Sequence, residues 1–140
     1  MIESMPLQIP NKRNPQVLLF SFHPEERTMR IIRYLTAQGV SVRTVQTSEL
    51  GETLGYLFSL PGYEKRSAPN FIASNVPEML VMHGFDQAML DAFLRFFREE
   101  GVRRVELKAV LTPTNASWTA VELSRHLAAE RDALQKRRRA

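Results

Sequence analysis

The chain has no cysteine among its 140 residues, which excludes disulfides, thiolate metal sites and a cysteine nucleophile together. Its six glycines fall into no Gly-rich phosphate loop, no G-x-G-x-x-G and no G-x-S-x-G elbow, so the commonest catalytic and nucleotide signatures are missing. No uncharged apolar stretch approaches the roughly 18 residues of a membrane span. The opening MIESMPLQIPNKRN lacks the apolar core of a signal peptide, so a cytoplasmic protein is expected. Three histidines are few for a metal site, and His126 stands alone without an i, i+4 partner; neither metal nor cofactor is expected. The NAS at 115–117 has the form of a glycosylation sequon, but a chain without a signal peptide does not meet that machinery.

What is present describes an ordinary soluble domain, 44% hydrophobic and 24% charged, with length enough for one buried core. The net charge of +4 sits in one place. Lys136, Arg137, Arg138 and Arg139 account for all of it and leave the remaining residues neutral. Such runs are usually solvated tails, so nucleic-acid contact is expected to be weak and confined to residues 136–140.

Residues 1–14 read as an extended arm. QVLLFSF (16–22) is a near-continuous apolar run of strand formers. A helix follows, with Pro24 at its first position, Glu25 and Glu26 at the positive end of its dipole, and Gly39 as its stop. VSVRTVQ (40–46) alternates as a half-buried strand does. TSELGETLGYLFSL (47–60) has helical spacing weakened by Gly51 and Gly55. Residues 61–76 have no period and form a linker loop of a length that is mobile or functional. PEMLVMHGF (77–85) is a second continuous apolar run, and DQAMLDAFLRFFREEG (86–101) a helix with Asp86 as N-cap. VRRVELKAVL (102–111) alternates, and a last helix runs from LTPTNASW towards the basic tail. The apolar face of the 86–101 helix is broad enough for a sandwiched helix or a homodimer contact.

The chain therefore divides into two similar β-α-β-α halves, 15–60 and 77–135, within one domain. The continuous runs want burial on both faces, as central strands do, and the alternating strands belong at the edges. Right-handed crossovers then predict a four-stranded, mainly parallel sheet of order 2-1-3-4 with helices on both faces. The competing arrangement is a ferredoxin-like α+β sheet, in which loop 61–76 reverses the chain direction between the halves.

HGFDQAMLDAFLRFFREEG and ELKAVLTPTNASW resemble a family of small bacterial domains of unknown function, marked by a GF after a strand and an LTPTN…W junction. The resemblance covers residues 78–130, with a looser echo in LLFSFHPEERT. It implies a compact α/β fold in a bacterial cytoplasm and carries no activity.

If the sheet is parallel, a ligand belongs outside the carboxyl ends of the strands, where the order switches between the first and third. Ser21 and His23 from one turn, His83 and Gly84 from another, and Thr112, Thr114, Asn115 and Ser117 from the fourth strand's turn would share that edge. Thr112 or Thr114 caps the last helix and Trp118 anchors it; the surplus hydroxyls and amide suit an anion. The expectation is a non-catalytic binding or regulatory module for an anionic small molecule. The alternative is a small hydrolase or transferase using His23 or His83 as general base.

Overall fold

The computed structural model describes residues 14–66 and 76–139. Most of the expected arm, most of the linker loop and the last residue of the tail lie outside them. The elements are β1 (Gln16–Phe20), α1 (Glu26–Ala37), β2 (Ser41–Thr44), a 3-10 turn (Thr47–Glu49), α2 (Leu54–Leu57), β3 (Met79–His83), α3 (Gln87–Glu99), β4 (Leu107–Val110), a second 3-10 turn (Asn115–Ser117) and α4 (Ala120–Arg139). The two halves thus contain the same elements in the same order.

The four strands form one sheet in the order β2-β1-β3-β4. As their apolar runs require, β1 and β3 lie in the middle, with Val17 to Phe20 and Met79 to Met82 all buried. Leu18, Phe20, Met79 and Val81 face a core closed by α2 and α4, through Leu54, Leu57, Ala120 and Leu123. Val17, Leu19, Leu80 and Met82 face the opposite core, closed by α1 and α3 through Ile31, Leu35, Phe93 and Phe97. The broad apolar surface of α3 is largely consumed there: Phe93 and Phe96 stack with Tyr34 of α1 at 5.7 and 4.4 Å between ring centroids.

Two of the three pairings, β1 with β2 and β3 with β4, are parallel. The central pairing of β1 with β3 is antiparallel, with Leu18 opposite Val81, so the sheet is mainly parallel and of the expected order, with its one antiparallel seam in the middle. The segment after β2 also departs from the expected helix. A helix over all of 47–60 would span about 21 Å at 1.5 Å per residue and carry the chain back along the sheet. Instead the backbone makes a 3-10 turn, passes Gly51, and restarts at Thr53 as the single turn of α2, capped by the Thr53 hydroxyl accepting from Tyr56 N–H at 3.1 Å. Phe58, just after α2, already lies at the end where β1 begins, its ring against His83, which pairs with Gln16. Val76 instead stands beside Ser21, its carbonyl accepting from Ser21 Oγ at 2.6 Å, and β3 runs the other way.

An approximate twofold relation between the halves follows from that pairing. The shift that lays Leu18 on Val81 also lays Ser21 on Gly84, and both strand-end residues have positive φ, 62° and 83°. The N-caps of α2 and α4, Thr53 and Thr119, pair with each other in an isolated antiparallel bridge, with Leu54 N–H donating to Trp118 O at 2.9 Å. Gly84 has a steric reason to be glycine as well. A Cβ there would stand 3.0 Å from Pro15 Cα and 3.2 Å from Asn14 O.

Arg27 fastens one half to the other. Its guanidinium holds the Glu78 carboxylate in both arms, at 2.7 and 3.0 Å, and donates to the carbonyls of Arg103 at 2.8 Å and Arg104 at 3.0 Å. One side chain of α1 thereby secures the residues that lead into β3 and β4.

Candidate functional site

In a sheet with strands of both directions, each parallel pair has its own carboxyl edge. The antiparallel central pairing divides the expected site residues between the two ends of the sheet. Ser21 and His23 follow β1 at one end. His83 and Gly84, with Thr112, Thr114, Asn115 and Ser117 after β4, lie at the other, because β4 runs parallel to β3. The two histidines therefore do not share a pocket, and the switch point expected between strands one and three does not exist.

The far end is occupied by structural contacts. His83 is half-buried with its ring tilted over Phe58 at 5.4 Å between centroids, and burial holds its pKa below the usual 6.5. Asn115 is buried and satisfied by its own backbone: its carbonyl accepts from Thr112 N–H at 2.9 Å and its amide donates to Val110 O at 3.2 Å. Thr112 Oγ1 accepts from Asn115 N–H at 3.1 Å in return, and Ser117 Oγ donates to Thr114 O at 3.4 Å. Thr114 is exposed and makes no side-chain cap. Neither it nor Thr112 starts α4. The cap is Thr119, in a reciprocal box with Glu122: Thr119 Oγ1 accepts from Glu122 N–H at 3.2 Å and Glu122 Oε1 accepts from Thr119 N–H at 2.8 Å. Trp118 is half-buried rather than a core anchor, and stacks on His126 at 4.3 Å. The surplus of polar groups at this junction is a closed Asn-Thr turn that precedes the helix.

The end bearing Ser21 and His23 is open. After β1 the chain turns to the α1 face, and after β2 to the α2 face, so the crevice of an open α/β sheet falls between these two strands. A cleft of about 740 Å³ opens at this end of the sheet, where β1 ends and the segments into β3 and β4 begin, lined by Ser21, Phe22, His23, Glu25, Thr47 and Arg131 among others. An adjoining hollow of about 200 Å³ continues over Thr44 to Thr47. The segment before β3 supplies Glu78 to the cleft wall, and the segment before β4 supplies Arg103 and Glu106. These residues carried no motif, and knowing the strand directions is what brings them to the site.

Position by position, the cleft is mixed in charge. Glu78 is neutralised by Arg27, and Glu106 lies 3.6 Å from Arg104. Glu25 occupies the N-cap of α1 but makes no side-chain cap, so the N–H groups of that first turn receive no carboxylate from it. His23 is exposed on the rim, and Arg131 reaches it from α4. Ser21 has the left-handed backbone that its equivalent reaches with glycine, at a cost of order 1–3 kcal/mol; its hydroxyl is committed to Val76 O. Deeper in the first turn of α1, Thr28 Oγ1 is buried without a hydrogen-bond partner among the described residues.

The fold and this cleft define a small three-layer α/β domain with an open crevice at a strand end. Residues 78–134, the second β-α-β-α half, match the model of a family described as a domain of unknown function, DUF3783. No curated protein and no solved structure matches the chain. No helix among the described residues is long and apolar enough to cross a membrane.

Proposed function

We propose that this chain is a bacterial, cytoplasmic, non-catalytic binding or regulatory module whose ligand is a small anionic molecule held in the cleft where β1 ends and the segments into β3 and β4 begin. The observation that carries the reading is the cleft itself, at the one parallel-pair edge where Ser21 and His23 stand open. Arg103, Arg131, His23 and the uncapped first turn of α1 favour a carboxylate or phosphate. Glu25, which forms no ion pair among the described residues, opposes it and restricts the anion to the Arg103 and Arg131 side. We further propose that the chain arose by internal duplication of the family domain, with the first half specialised for the ligand. That is consistent with serine at position 21 where the second half keeps glycine. The far-end residues His83, Gly84, Thr112, Thr114, Asn115 and Ser117 then serve the scaffold.

The catalytic alternative, a hydrolase or transferase with His23 or His83 as general base, draws support from the strained backbone at Ser21 alone. A hydroxyl already donating to a carbonyl is not activated by a base, and His83 is at the wrong end of the sheet. The test is a thermal-shift screen of phosphate- and carboxylate-bearing metabolites, followed by titration of each hit into Arg103→Gln and Glu25→Gln. Loss of one guanidinium contact weakens binding roughly tenfold, about 1.4 kcal/mol, while Glu25→Gln strengthens it. A screen without hits, or hits indifferent to both substitutions, refutes the reading.

A further inference from the structure

The basic run at 136–139 is not a loose tail. It is the continuation of α4, which is helical through Arg139. Every described side chain from Asp132 to Arg138 is exposed, so the last two turns stand clear of the body as a rod of about 12 Å. Unsupported helix ends ordinarily fray. Here the cations lie at the negative end of the helix dipole, while Asp132 is paired with Arg131 at 3.4 Å.

The helix also sets how the charge is displayed. Successive residues step about 100° around the axis, so Lys136, Arg137 and Arg138 point in three different directions. A flat anionic membrane engages one side of such a rod and also needs an apolar face. Between Asp132 and Arg139 only Ala133 and Leu134 are apolar, and Leu134 is half exposed. A charge presented all round suits a partner that surrounds it. The major groove of duplex DNA is about 12 Å wide, admits a helix, and is walled by phosphates.

We infer that the last two turns of α4 form a docking element for duplex DNA, inserted in the groove and directed to phosphates without reading bases. The contacts inferred are to phosphates, which carry no sequence information, so the binding is independent of sequence. It is also independent of the strand-end cleft, which α4 leaves at Arg131.

The experiment is fluorescence anisotropy of the full chain with a labelled random-sequence DNA duplex between 50 and 200 mM salt. Three to four phosphates neutralised give a logarithmic salt slope of about −2.7 to −3.6, a fall in affinity of roughly 40- to 150-fold over that range. Combining Lys136→Gln, Arg137→Gln and Arg138→Gln reduces the slope to about −1 or less. Because these side chains are exposed, the variant's thermal unfolding remains that of the parent, which separates lost binding from lost folding. Equal binding by parent and variant overturns the inference, as does no binding to the duplex. Capture by phosphatidylserine–phosphatidylcholine vesicles in place of the duplex overturns it in favour of a membrane.

Discussion

Replacing Arg27 with alanine tests whether the two halves are held together by more than their shared sheet. The Arg27 side chain is 10% exposed and its partner Glu78 24%, so the pair is partly desolvated and paired in both arms. Removing one member of a buried pair costs about 3–5 kcal/mol, because a charge is left uncompensated. Glu78 retains contact with water and the carbonyls of Arg103 and Arg104 belong to exposed residues, so the lower end applies, about 3 kcal/mol. For a chain of this size that is a fall in melting temperature of roughly 10 °C. Arg27→Lys keeps the charge but cannot bridge a carboxylate and two carbonyls at once, and loses about 1–2 kcal/mol. Urea denaturation of Arg27→Ala, Glu78→Gln and the double variant completes a thermodynamic cycle. A coupling energy of about 2 kcal/mol is expected. A single-variant loss under about 1 kcal/mol, or a cycle that closes to zero, refutes the clasp and leaves the halves joined by the β1–β3 ladder and the two cores alone. Because Glu78 and Arg103 also line the cleft, Arg27→Ala is expected to weaken ligand binding with stability.

Two further outcomes are specific. His83 is held neutral by burial, so its folded pKa lies below the ordinary 6.5. Stability is unaffected above that value and declines as pH falls from about 6.5 towards the folded pKa, where the unfolded chain binds a proton that the fold refuses. Chemical denaturation of the parent and His83→Gln at pH 8 and pH 5 shows a stability gap that shifts in the variant's favour at the lower pH, and a gap independent of pH refutes the assignment. Thr28→Val removes an unsatisfied hydroxyl while keeping shape, so it is neutral or stabilising by about 1 kcal/mol. A destabilisation of that size in calorimetry would mean that the hydroxyl is satisfied after all.

Much of the architecture was legible because burial is written in composition. QVLLF and MLVMH are apolar at every position but two, which marks strands covered on both faces, and they are the central pair. SVRT and LKAV mix polar with apolar residues and are the edges. Direction carries no such mark. A strand buried on both sides looks alike whether its neighbour is parallel or antiparallel. The reading of the site depended on that direction. Ser21 and His23 follow the carboxyl end of β1, while His83 and the Thr112–Ser117 turn were joined to them only on the parallel assumption. The cap of α4 was readable: Thr119 and Glu122 have the S/T-x-x-E spacing, which the denser cluster of hydroxyls upstream obscured. Arg27, Glu78 and Arg103 meet from distant parts of the chain and carry no local signal.

The antiparallel seam between β1 and β3 has a consequence during synthesis. Roughly sixty residues separate the two strands, and a ribosome adding about 5–20 residues per second leaves the β1 edge unpaired for roughly 3–12 s. Throughout that interval the exposed ladder of one emerging chain can accept the β1 or β3 edge of a neighbour on the same message, since both strands are apolar. Exchange of halves between chains would reproduce every contact of the monomer, including the Thr53–Thr119 bridge. Crowded translation therefore favours a swapped dimer, and slow, dilute expression the single chain.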